Sequence, residues 1–231
     1  MQPIRGSCPL MAIRDLLAWY SFPMMWSDPS ALRCAIFVGG ASRRMGGYPK
    51  ALLRLPDGET LIARTVRVVR EAGLSPALVG LVGLVGAPQS SLPGDVPVLA
   101  DAAIDAGPLG GLVAALESTA GLVVVVACDL PRLDAASLRL LRDARSAAPI
   151  VAARRADRWE PLFARYEAAR VLPLARERLA RGALALQGLL DAAGASILEL
   201  GVSAALDDVD TTLEAARAGL SRDPRHEVQA R

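Results

Sequence analysis

Apolar residues along this chain gather in two kinds of run. Short, nearly unbroken stretches of Val, Leu, Ile and Ala read as strands buried on both faces. Longer stretches with apolar residues at helical spacing read as amphipathic helices. Leu32 to Val38 is of the first kind and empties into Gly39-Gly40. Thr60 to Gly73 is of the second, with Gly73 placed to stop it. "PALVGLVGLVG" from Pro76 predicts a second buried strand whose glycines blur its end, and "VPVLAD" predicts a third, ending in Asp101. "GPLGGLVAALEST" opens a helix with Pro108 in its first turn. "LVVVVACD" is the clearest strand and terminates at Asp129. Asp134 then caps a helix running to about Arg145.

Beyond it, "PIVAAR" and "WEPLFARY" predict two more strands, the latter an edge or bent one because of Pro161. Helical stretches follow at about Ala168 to Ala180 and Ala183 to Ala193, then a short strand, "SILEL", and a turn, "LDDVD", into a last helix. Strand alternating with helix predicts a doubly wound parallel sheet in a single α/β domain.

Composition narrows the chemistry. The chain has 231 residues, 52% hydrophobic and only 4% aromatic, so Ala, Val and Leu must build the core. A net charge of +2 with acids and bases intermixed shows no basic face for nucleic acid. Cys8, Cys34 and Cys128 contain no CxxC pair, which argues against a disulfide framework or structural zinc and for a reducing, cytoplasmic setting. The single histidine, His226, lies in a polar tail, which argues against histidine-dependent triads and His-ligated metals. A metal here would be a hard cation such as Mg²⁺ on carboxylates. Residues 1–30 include "LLAWYSFPMMW", too short to span a bilayer. They read as a loosely ordered extension, with Met11, Met24 and Met25 as alternative starts; residues 31–220 read as the domain and 221–231 as a polar tail.

The chemistry gathers at strand ends, where open α/β sheets bind ligands. The loop from Gly39 through Gly40, Ser42, Arg43 and Arg44 to Lys50 joins paired glycines to three positive charges, a composition suited to phosphates. It fits neither the Walker A nor the dinucleotide glycine pattern. Asp101 and Asp129 end neighbouring strands and face that loop in the expected topology, suggesting a magnesium–triphosphate site. Asp208 and Asp210 are further candidates for a metal contact, with Asp210 as cap of the last helix the alternative. Cys128 reads as a small buried hydrophobe.

"FVGGASRRMGGYPKALL", Asp101 with "GPLGGL", "CDLP", "EPLFARY" and "DVDT" together resemble the MobA-like nucleotidyltransferases over about residues 31 to 219. The resemblance implies a Rossmann-like, mostly parallel sheet with helices on both faces, of the nucleotide-diphospho-sugar transferase type. It implies Mg²⁺-dependent transfer of GMP from GTP to the phosphate of molybdopterin carrying molybdenum, with release of pyrophosphate. Phe37, Val38 and Gly39 would line the nucleotide, Arg44 and Lys50 would hold phosphates, Asp101 would contact the nucleotide, and Asp129 would bind Mg²⁺. The protein partner consistent with that activity is an accessory GTP-binding protein or a molybdoenzyme client, with no role for a membrane.

The chain departs from the family at Phe37-Val38, where Leu-Ala is usual, at Pro49, and at Gly80, about where a base-reading asparagine falls. Either backbone groups read guanine or the base preference differs. The alternatives are a cytidylyltransferase acting on the same pterin, a relative with another phosphorylated acceptor, and a nucleotide-binding protein without turnover.

Overall fold

A computed structural model describes residues 32–38, 45–80, 92–103, 105–199 and 204–223. Seven strands form one sheet: β1 (Arg33–Phe37), β2 (Ser75–Val79), β3 (Val98–Leu99), β4 (Leu122–Ala127), β5 (Ile150–Arg155), β6 (Arg158–Glu167) and β7 (Ser196–Ile197). Their order is β3-β2-β1-β4-β6-β5-β7. Only β6 runs against its neighbours; the other strand pairs are parallel. Six α-helices accompany them among the described residues: α1 (Leu61–Glu71), α2 (Gly107–Glu117), α3 (Ala135–Asp143), α4 (Ala168–Ala180), α5 (Leu186–Ala193) and α6 (Thr212–Arg217).

Alternation along the central strands separates two cores. Cys34, Ile36, Val124 and Val126 pack with Ile62, Val66 and Val69 of α1 and Leu138 and Leu141 of α3. Ala35, Phe37, Val123 and Val125 pack on the other face with Leu112 and Leu116 of α2, Val171 of α4 and Leu189 of α5. Both faces are covered, which is why β1 and β4 are apolar almost throughout.

Local signals set the helix ends. Thr60 accepts the Ala63 N–H at the start of α1, and Asp134 accepts the Ser137 N–H at the start of α3. Helix α2 lies unusually close to the sheet: a Cβ on Gly111 would sit 2.5 Å from Val79 Cγ1 and 2.9 Å from Phe37 Cε1.

Several expectations are corrected. The Pro161 strand is bent but lies inside the sheet, between β4 and β5. Pairing with β5 jumps from Ala153–Glu160 to Ala152–Ala164, and Pro161, which cannot donate to a ladder, falls in the skipped stretch. Strands β3 and β7 keep only two residues each, so Asp101 lies two residues beyond its strand. Helix α5 starts at Leu186 and α3 ends at Asp143. The first residues of the expected tail belong to the domain. Ser221 bridges Arg54, and Asp223, buried, takes an ion pair from Arg54 at 2.8 Å and donates its N–H to the Tyr48 hydroxyl at 3.1 Å. Residues 1–31, the rest of the tail and the end of the glycine-rich second strand run lie outside the described residues.

Candidate active site at the β1–β4 switch point

The strand order reverses between β1 and β4, because successive strands run outward from β1 to β3 and β4 then returns to β1's other side. A crevice beyond the carboxyl ends of such a pair is the preferred ligand site of open α/β sheets. The N–H of Cys128 donates to the Phe37 carbonyl at 2.9 Å, which sets Asp129 beside the exit of β1. The Phe37 and Val38 side chains are buried in opposite cores, and the Val38 N–H donates to the Val79 carbonyl at 2.9 Å. Gly39, Gly40, Ser42 and Arg44 lie outside the described residues.

Past the loop, Gly46 and Gly47 both take positive φ, +64° and +81°, and turn the chain back toward the sheet. A 3-10 turn, Lys50–Leu52, buries Ala51 and Leu52 and leaves Lys50 facing the crevice. Its ammonium meets two carboxylates: Asp129 Oδ2 at 3.3 Å and, closer still, Asp210 Oδ1. Burial pulls the Lys50 pKa down, but the hydrogen bonds and charges of Asp210 and Asp129 outweigh it and hold the ammonium above the usual lysine range. Burial pushes the Asp129 carboxyl up, as Asp208 also does, against the opposing pull of Lys50. This half-buried acid therefore carries an ionisation penalty that a cation relieves.

Asp210 is not the helix cap. Thr211 caps α6 in a reciprocal box with Glu214, and the N–H groups of Asp210 and Thr211 both donate to Glu214 Oε2, at 2.9 and 2.8 Å. Val209 donates its N–H to the Asp129 carbonyl at 3.1 Å, which fixes the 207–210 turn against the end of β4. The neighbouring acids of that turn reach Arg155 at the end of β5: Asp207 at 3.8 Å and Asp208 at 3.7 Å. Glu160 Oε1 accepts from Arg155 Nε at 2.7 Å. Sequence reasoning missed Arg155, although its position at a strand end is the available signal.

Asp101 stands on the other side of Phe37. It accepts from the Gly80 backbone, burial raises its pKa, and its buried Oδ1 has no hydrogen-bond partner among the described residues. That oxygen lies by bare Gly111, 3.2 Å from where a Cβ would be. Gly80 itself has φ +74°, a backbone that disfavours a side chain even though the space beside it is open. Cys128 is fully buried with its thiol pushed well up by burial, an inert packing residue.

No three potential ligands are gathered for a metal among the described residues. The donor chemistry nonetheless fits Mg²⁺, because the Asp129 carboxylate offers hard oxygen donors at the switch point. Mg²⁺ characteristically uses one or two carboxylates and fills its octahedron with phosphate oxygens and water.

Residues 34–196 match the MobA-like NTP transferase domain family. The chain is a member of that family. A probable molybdenum cofactor guanylyltransferase of Opitutus terrae is 40% identical over 167 residues, covering 71% of this chain and 79% of the relative. The molybdenum cofactor guanylyltransferase of Serratia proteamaculans is 30% identical over 192 residues, covering 79% and 91%. Among solved structures, molybdopterin-guanine dinucleotide biosynthesis protein A of Archaeoglobus fulgidus superposes with a TM-score of 0.67 at 21% identity, covering 81% of this chain and 97% of that one. At that identity the superposition speaks for the fold. In this member of the MobA-like family, Lys50 and Asp129 face each other at the switch point of that fold. No helix among the described residues is long and apolar enough to cross a membrane.

Proposed function

We propose that the protein transfers GMP from GTP to the phosphate of molybdenum-bearing molybdopterin and releases pyrophosphate. The observation that carries this reading is the Lys50–Asp129 pair at the β1–β4 switch point, in a chain 40% identical to a relative named for that activity. An acceptor phosphate oxygen attacks the α-phosphorus of GTP; a bond to that phosphorus forms as the bond to the bridging oxygen of pyrophosphate breaks. The nucleophile is already ionised near neutral pH, so the site needs no general base, which suits a crevice with no histidine among its described residues. What the protein supplies is position and charge. Lys50 and Arg44 neutralise the departing pyrophosphate, and the glycine loop at Gly39, Gly40 and Ser42 cradles the phosphates. Backbone of Phe37 and Val38 lines the nucleotide, and Asp101 offers its unpartnered oxygen on the nucleotide side.

Asp129 would hold Mg²⁺, which, when bound, withdraws charge from the triphosphate oxygens. With no side chain at Gly80, base selection falls to backbone groups. The buried free thiols Cys34 and Cys128 suit a cytoplasmic setting, where a GTP-binding accessory protein or a molybdoenzyme client would meet the product.

A panel of the four nucleoside triphosphates with Mg²⁺, read by thermal shift and then by molybdopterin-dependent pyrophosphate release, tests the reading. The expected result is a preference for GTP; a preference for CTP moves the donor to cytidine, and no response to any of the four removes the nucleotide site.

A further inference from the structure

The Lys50 ammonium has three N–H donors, and two of them have carboxylate partners, Asp129 and Asp210. These acids are not equivalent. Asp129 sits deep at the end of β4, and it is the carboxylate the metal would take. Asp210 lies farther out, its side chain 44% exposed, on a turn fixed from three directions. Val209 ties that turn to the Asp129 carbonyl. The capping box ties it to α6. Arg155 holds the adjacent Asp207 and Asp208, and Arg132 holds Asp207 at 3.5 Å. A carboxylate on so constrained a turn is a fixed anchor for a flexible lysine.

We propose that Asp210 is a positioning residue for Lys50. When Asp129 engages the metal, Asp210 keeps the ammonium aimed at the triphosphate, and Asp210 itself stays off the metal. The inference rests on the reading of this crevice as a nucleotide site with Asp129 as its metal carboxylate. Physically, an ammonium released by one of two anionic partners would otherwise spend its three donors on water and sample the many rotamers of a lysine stem.

The test is a double-variant cycle in the full chain. Wild type, Lys50→Ala, Asp210→Asn and the combined variant are titrated by calorimetry with a Mg²⁺–nucleoside triphosphate, chosen from the wild-type panel. Asp210→Asn is expected to weaken binding about 10-fold and Lys50→Ala about 30-fold, with the combined variant within about twofold of Lys50→Ala alone. Without Mg²⁺, where Asp129 still holds Lys50, Asp210→Asn is expected to lose less than about threefold. Asp210→Glu, which keeps the charge, recovers most of the loss, and the melting temperatures match wild type because the Thr211–Glu214 cap is untouched. Losses that multiply in the combined variant overturn the proposal. So does a rise in the half-saturating Mg²⁺ that persists in the Lys50→Ala background, which would make Asp210 a metal ligand. A wrong donor or an absent nucleotide site shows in the wild type alone, whereas a wrong role for Asp210 shows only among the variants.

Discussion

The backbone N–H of Val209 donates to the carbonyl of Asp129 at 3.1 Å, joining the turn before α6 to the end of the domain's central strand. Through this bond the carboxylates of Asp129 and Asp210 flank Lys50 from two different segments. A family resemblance explains which residues are present, and this bond explains how they come to share one cation.

If Asp129 is the metal carboxylate, Asp129→Asn lowers Mg²⁺-dependent pyrophosphate release by about 100-fold or more. The fold survives, because the amide keeps the shape and removes a carboxylate whose ionisation burial opposes. Steady-state turnover beside a thermal melt checks both halves, and undiminished turnover refutes the role.

Asp101 gives a pH signature. Its folded-state pKa lies above the ordinary value, first through burial, so its ionisation costs stability. That cost is absent at pH well below the unfolded carboxyl's pKa of about 3.9 and grows as pH rises through the folded pKa. Asp101→Asn should therefore raise the melting temperature by about 1–3 °C at pH 7.5. At pH 4 the gain should shrink. Scanning calorimetry at the two values decides it, and an equal gain at both points away from ionisation.

Gly111→Ala should destabilise the domain by about 1–3 kcal/mol through overpacking. The new Cβ would meet Val79 and Phe37 well inside contact distance, and both belong to the packed face beneath α2. Urea unfolding measures the loss; a neutral result would mean that α2 rides freely over the sheet.

At Gly80, the left-handed backbone rather than crowding limits substitution. Gly80→Ala should cost about 1 kcal/mol, and Gly80→Asn less, because asparagine tolerates this region. Equal costs in urea melts would assign the penalty to something other than backbone conformation.

Asp223→Ala tests where the domain ends. It removes the ion pair to a partly shielded Arg54, for an expected loss of about 1–2 kcal/mol. No change in the urea midpoint would return residues 221–223 to a dispensable tail.

Much of this was legible in the chain because it is local. An apolar run ending in a carboxylate marked β4 and Asp129, and Asp134 three residues before Ser137 marked the start of α3. The Lys50 to Asp210 contact was not legible, since the topology creates it. Read from "DVDTTLE" alone, Asp210 is either a helix cap or a metal contact, and only the folded chain gives the cap to Thr211 and sets Asp210 against Lys50. Pro161 left two readings open, an edge strand or a bent one, and the register jump that accommodates it inside the sheet is the second. The two-residue strands β3 and β7 lack the length to show any periodicity.

Lys50 and Asp210 lie 160 residues apart in the chain. During synthesis the lysine emerges early and the aspartate among the last residues of the domain. The pair therefore forms only once the 207–210 turn has docked against the end of β4.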